Sequence, residues 1–261
     1  MKLDDVLITR AIVETFSKKF LEYSDLDVAI AGAGPAGLCA AFYLASGGAK
    51  VAIFERKLSI GGGMWGGGMM FNEVVVGTDG KTVLDELEIG SKSYLPGYFT
   101  ADAVECVSTL CSRATKAGAK IFNLMSVEDV MLDAQTVCGL VLNWSAVEMA
   151  NLHVDPLTIR SKYLIEATGH PTELIKIMVR KLGAKLLTPT GDILGEKSMC
   201  ADLGERQVVQ NTREAYPHVY VVGMAANAVF GSHRMGPIFG GMLLSGRKAA
   251  KEILEKLKSE V

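Results

Sequence analysis

Asp27-Val-Ala-Ile-Ala-Gly32-Ala-Gly34-Pro-Ala-Gly37, followed by Lys50-Val-Ala-Ile-Phe-Glu55, is the stretch whose reading decides the fold. Two short apolar runs flank a glycine turn and a helix-like segment, Pro35 to Ser46, so the whole reads as strand, turn, helix, strand. A parallel pair joined in this way implies a right-handed crossover. Gly32-x-Gly34-x-x-Gly37 has the spacing of a dinucleotide turn, and Glu55 closes the second strand 18 residues beyond Gly37. Gly32 permits the turn, Gly34 lets backbone approach a pyrophosphate, and Gly37 lets helix and strand pack closely. The helix N-terminus offers unpaired N–H groups to an anion, and Glu55 can accept hydrogen bonds from ribose hydroxyls. An acid at the strand end favours an unphosphorylated ribose, hence NAD or FAD. Arg56 could select a 2′-phosphate, stack on adenine or remain solvated.

Val28 to Ala49 carries no charge over 22 residues, long enough for a membrane span. Its glycines and Pro35 argue instead for a buried strand, a turn and a helix, so no membrane is expected. Outward from this unit, the spacing predicts an amphipathic helix over 5–23, on Ile8, Ile12, Phe16 and Phe20. Further helices are predicted over 83–90, 100–117, 172–182 and 237–258. Strands are predicted at 119–124, 127–132, 137–144, 162–168 and 218–223. The pair 127–132 and 137–144, joined through Asp133-Ala-Gln-Thr, reads as an antiparallel excursion. The polar stretch 188–211 has no clear period and predicts a loop. No repeat or linker is visible. The expected fold is therefore α/β: a Rossmann-like parallel sheet with helices on both faces and a small inserted antiparallel element, in one domain over 1–261. The strands ending Ala167-Thr-Gly169 and Val219 to Gly223 resemble those of two-dinucleotide-binding flavoproteins.

Composition agrees with a globular chain of 261 residues, 49% hydrophobic and 21% charged. The formal net charge of −2 gives no reason to expect nucleic acid or an anionic membrane as partner. Five cysteines without a CxxC pair, and no apolar leader, suggest free thiols in a reducing cytoplasm. The 28 glycines are clustered, with 14 of them in 30 residues at 32–37, 61–68 and 231–246. Clustering of this kind marks close backbone approach. In Gly61-Gly-Gly-Met-Trp-Gly-Gly-Gly-Met-Met the alternatives are approach to a ligand or neighbouring chain, and a flexible lid. Met64, Trp65 and Met69 either wall a planar ring or pack. In the third cluster Arg234 offers a bidentate fork for a carboxylate or phosphate, with His233 beside it as a cap or solvated group. His153, Asp155 and His170 are the donor types of a non-haem Fe(II) site. From spacing alone they are equally compatible with structural roles.

Together, Ala31-Gly-Ala-Gly-Pro-Ala-Gly-Leu, Phe54-Glu-Arg-Lys, the second glycine cluster, Asn143-Trp-Ser-Ala-Val, His153-Val-Asp-Pro, Ala167-Thr-Gly-His and Arg234-Met-Gly-Pro-Ile-Phe-Gly-Gly-Met resemble the thiamine thiazole synthases. The resemblance runs from about Leu3 to the last helix and is closest to the sulfide-dependent archaeal and bacterial branch. It implies an enzyme that consumes NAD as a substrate, with glycine and sulfide, and releases nicotinamide. The implied product is adenosine diphosphate 5-(2-hydroxyethyl)-4-methylthiazole-2-carboxylate. It implies Asp155 and His170 as Fe(II) ligands shared between subunits of a homo-oligomer, an octamer in the family. Arg234 then grips the glycine carboxylate. Glu55 and Arg56 contact the adenosine ribose, and Ala36, Gly63, Val127 and Met224 touch the nucleotide. In the eukaryotic branch a cysteine at the position of His153 gives up its sulfur. Here no thiolate stands there, so sulfur is expected from free sulfide, with repeated turnover, and His153 is left as a ligand contact. Many relatives carry an acid where this chain has Pro171, which leaves the proton transfers open. The competing expectations are an FAD- or NAD-dependent oxidoreductase, which a flavin absorption band would favour, and a non-catalytic nucleotide-binding protein.

Overall fold

The computed structural model describes residues 2–134 and 136–260. Helix α1 (Asp5–Glu22) starts at Asp4, whose carboxylate accepts the backbone N–H groups of Val6 and Leu7. β1 (Asp25–Ala31), α2 (Pro35–Ser46) and β2 (Val51–Glu55) form the expected unit, with Val28 beside Val51 and Ala31 beside Phe54 in parallel register. A short 3-10 turn over Gly62–Gly66 leads to β3 (Glu73–Val76), α3 (Thr78–Glu86), β4 (Lys92–Leu95) and β5 (Tyr98–Asp102). Then come α4 (Ala103–Ala117), β6 (Lys120–Asn123), β7 (Met125–Asp133), β8 (Thr136–Trp144), α5 (Ser145–Met149) and β9 (Leu157–Glu166). The chain closes with α6 (Glu173–Leu182), α7 (Ala201–Asn211), β10 (Arg213–Tyr216), β11 (Val219–Val221), α8 (Met224–Val229) and α9 (Gly240–Ser259).

The main sheet runs β10-β11-β9-β1-β2-β6, parallel except for β10 at the edge. The β7–β8 hairpin joins it because the first residues of β9 pair antiparallel with β8 before the strand passes to β1. The expected turn of that hairpin includes Gln135, which lies outside the described residues. Period-2 alternation sorts the β1 side chains. Val28 and Ile30 face a core made with α2, α3, α4 and α9. Ala29 and Ala31 face a second core made with Phe54, Phe122, α6 and the hairpin. Phe16 and Phe20 of α1 pack edge-on against Phe122, with ring centroids 6.1 and 5.6 Å away.

Four expectations shift. The helix predicted over 83–90 is α3, starting at Thr78. Gly80 in its first turn is not a breaker but a close approach, since a Cβ there would sit 2.4 Å from the Gly240 Cα. The antiparallel trio β3-β5-β4 was not visible, because the four residues of β4 are all exposed and show no alternation. The strand predicted at 162–168 begins earlier, at Leu157. The polar stretch 188–211 contains α7, whose buried positions, Gly204 and Val208, are too few to produce a helical apolar period.

Candidate active site

The C-terminal ends of β1, β2 and β9 converge, which is where open α/β sheets bind ligands. Gly32 takes φ +101°, and a Cβ on it would lie 2.6 Å from the Ala167 carbonyl oxygen. A Cβ on Gly37 would lie 2.3 Å from the Gly32 carbonyl oxygen, so these two positions exclude every larger residue. Gly34 caps α2 with extended backbone, Pro35 follows at the first position, and no side chain takes the cap hydrogen bonds. The first-turn N–H groups, Ala36 and Gly37 among them, are thus available to an anion.

Glu55 is 9% exposed. Its Oε2 accepts the Ala33 N–H at 2.9 Å and its Oε1 accepts the Lys57 N–H at 2.9 Å. The carboxylate is therefore fixed before any ligand arrives, and each oxygen keeps a lone pair for a hydroxyl. Arg56 is exposed and ion-paired with Glu173 at the start of α6. Ser145 donates to the Arg56 carbonyl at 2.6 Å and lies 3.0 Å from Ser126, which brings Val127 to the same end of β2. Gly223, at φ +59°, begins α8, and a Cβ on it would sit 3.0 Å from the Ala36 side chain. Met224 is buried behind that contact.

The three glycine clusters meet here. The Gly61 N–H donates to the Ala33 carbonyl at 2.7 Å. A Cβ on Gly68 would lie 3.1 Å from Pro237, and one on Gly246 would lie 2.3 Å from the Ala36 carbonyl oxygen. Met64 is core, whereas Trp65 and Met69 are exposed. Around Gly63 there is open space within 4 Å of a built Cβ.

His170 ends a turn that is anchored from beneath. The Glu166 carboxylate, fully buried, accepts Thr168 N–H at 2.6 Å, Leu174 N–H at 2.8 Å and Ile175 N–H at 3.3 Å. Burial pushes its carboxyl up to about 7, against those hydrogen bonds from Thr168, Ile175 and Leu174, which pull it down. The Thr172 N–H donates to the Gly169 carbonyl, and the Glu173 N–H to the Thr168 hydroxyl. The His170 imidazole is exposed, with Nδ1 2.6 Å from Glu196 Oε1. Arg234 is also exposed, on a segment hydrogen-bonded through its backbone to Lys197 and Cys200.

His153 and Asp155 lie elsewhere in the chain's course, in an exposed loop before β9, whereas His170 follows its far end. Neither Arg234 nor Asp155 has an ion-pair partner among the described residues. Among the described residues one chain gathers no three His, Cys, Asp or Glu side chains around a common metal position. The donor types of His170 and Asp155 suit Fe(II), and His170 keeps Nε2 open, but a second chain is needed to complete such a set. Glu166 and Glu196 were not singled out by the sequence. Glu166 did carry a signal, as an acid ending an apolar strand. Glu196 carried none. The five cysteines are free, and burial pushes Cys39 and Cys106 up to about 12, so neither is a ready thiolate.

A family model described as the Thi4 family matches residues 9–239. The chain belongs to the Thi4 family. A thiamine thiazole synthase from Methanothermobacter thermautotrophicus is 62% identical over 258 residues, covering 99% of this chain and 100% of that protein. One from Pyrococcus horikoshii is 55% identical, covering 98% and 100%. The crystal structure of Thermovibrio ammonificans THI4 superposes with a TM-score of 0.96 at 52% identity, covering 98% of this chain and 100% of that one. A geranylgeranyl bacteriochlorophyll reductase-like protein from Thermoplasma acidophilum shares the fold, with a TM-score of 0.57 at 15% identity, covering 90% and 79%. The Thi4 motifs therefore sit on a Rossmann-like frame that unrelated chemistries also use. No helix among the described residues is long and apolar enough to cross a membrane.

Proposed function

We propose that this Thi4-family chain is a thiazole synthase of thiamine biosynthesis, and that it converts NAD, glycine and sulfide into adenosine diphosphate 5-(2-hydroxyethyl)-4-methylthiazole-2-carboxylate, releasing nicotinamide. The observation that carries the reading is the full-length match to proteins named thiamine thiazole synthases. The cradle around α2 supports it. The first-turn N–H groups hold the pyrophosphate, Glu55 accepts the ribose hydroxyls, and Gly63 leaves space for the chain of atoms between. Arg234, free of an internal acid, holds the glycine carboxylate with two parallel N–H donors.

His170 of one copy and Asp155 of a neighbouring copy hold Fe(II) in this proposal, with His153 brought to the ligand by the same neighbour. Bound iron supplies Lewis acidity and a soft enough centre to present sulfide. Everything else falls to the chain: orientation of the glycine by Arg234, immobilisation of the adenosine by Glu55 and Arg56, and closure of the site by the glycine clusters. His153 stands where a sulfur-donating cysteine would be, so the sulfur comes from solution and each chain turns over repeatedly in the cytoplasm.

Mass spectrometry of small molecules released from the purified, denatured protein tests the reading. An adenylated thiazole carboxylate is expected. Released FAD, with a yellow absorption band before denaturation, would refute it in favour of an oxidoreductase.

A further inference from the structure

We infer that Glu196 is a positioning residue for His170, holding its imidazole with Nδ1 protonated and Nε2 open while tying that ring to the strand-like segment that carries Arg234. The inference rests on the proposed role of His170 as a metal ligand. The contact itself is the Nδ1 to Oε1 approach of 2.6 Å. An ionised carboxylate only accepts, so the imidazole must donate from Nδ1, and the neutral ring then has its lone pair on Nε2. A carboxylate on the non-ligating nitrogen also raises the basicity of the ligating one.

Surface His–Glu pairs are common and usually loose. This one joins two braced segments. On one side the 168–172 turn is fixed by Glu166 and by the hydrogen bonds of Thr168 and Thr172. On the other, the residues flanking Glu196 are laced to the backbone. The Leu194 and Gly195 N–H groups donate to Val229 and Ala228 at 3.1 and 2.9 Å. The Lys197 N–H donates to Ser232 at 2.9 Å, the Arg234 N–H to Lys197 at 3.2 Å, and the Cys200 N–H to Arg234 at 3.0 Å. A Cβ on Gly231 would meet Leu194 at 2.8 Å, so the two segments lie flush. Glu196 is thus presented from a fixed backbone, and its side chain is only 22% exposed. The ring that binds metal and the arginine that grips glycine are held in one frame, with a single carboxylate linking them.

The test is Co(II) titration of the full-length protein, read by the visible absorption spectrum, for the parent, H170A, E196A and E196Q, with NAD affinity measured alongside. Expected are loss of the Co(II) signal in H170A, a roughly 10- to 100-fold weaker Co(II) affinity in E196A, and a smaller loss in E196Q, whose amide oxygen still accepts from Nδ1. NAD affinity stays at the parent value in all three. Parent-like Co(II) affinity in E196A, with loss in H170A, overturns the positioning role and leaves the ligand assignment standing. Loss in E196Q as complete as in H170A overturns it the other way, making Glu196 a direct ligand. Retention in H170A overturns the ligand assignment and the inference with it.

Discussion

Gly37 and Gly246 show how much of the site is decided by missing atoms. A methyl on either would enter a carbonyl oxygen's space, at 2.3 Å in both cases, and the backbone would have to move. Gly37→Ala is expected to cost about 1–3 kcal/mol of stability and to weaken NAD binding, measured by thermal melting and by titration of the folded protein. Parent-like NAD affinity would mean that the turn has slack. Arg234 acts differently, as a free guanidinium rather than a close contact. Arg234→Ala is expected to raise the KM for glycine about 10- to 100-fold, the worth of a charged hydrogen bond of 1.5–3 kcal/mol, with NAD affinity unchanged. An unchanged glycine KM would place the carboxylate elsewhere. Steric roles such as those of Gly32 and Gly37 were legible in the sequence because a fixed spacing encodes them. The roles of Glu166 and Glu196 were not, because they depend on which backbone N–H or ring the carboxylate faces once the chain is folded.

Among the elements, α7 is the least legible and among the most informative. Its Glu205 reaches across to the first turn of α9, where Oε1 accepts the Gly241 N–H at 2.7 Å while Oε2 is buried with no partner. An acid at a helix N-terminus is favourable, yet burial dominates and pushes this carboxyl up to about 7 from the usual 4.5. The folded state therefore holds the proton more tightly than the unfolded chain. This contribution to stability is fully present below about pH 4.5 and is lost as pH rises through about 7. Glu205→Gln keeps an acceptor for Gly241 and removes the charge. Its Tm is expected to fall less than the parent's between pH 5.5 and pH 8, by calorimetry. An equal fall in both would assign the pH dependence to other groups such as Glu166. The exposed β4 and the polar α7 eluded the sequence for one reason: neither buries enough apolar surface to leave a period. The strands and helices of the first βαβ unit were legible because nearly every residue in them is buried.

At the scale of the molecule, α1 carries more apolar surface than one chain uses. Phe16 and Phe20 pack inward, yet none of its residues is buried, and Val6, Leu7, Ile8, Ile12, Val13 and Leu21 are exposed. Exposed apolar surface of this extent marks an association site, in keeping with a site that needs Asp155 from a second copy. Ile12→Glu is expected to lower the mass measured by light scattering and, with it, activity. A parent-like mass would move the interface away from α1.

The central claim is that one chain, without a sulfur-donating cysteine, builds a thiazole from NAD and glycine with free sulfide. The most direct measurement is anoxic incubation with NAD, glycine, sulfide and Fe(II), followed by mass spectrometry of the products against enzyme concentration. More than one adenylated thiazole carboxylate per chain, with nicotinamide released in step and the protein mass unchanged, is predicted. No thiazole, or at most one per chain with a protein lighter by one sulfur atom, would contradict it.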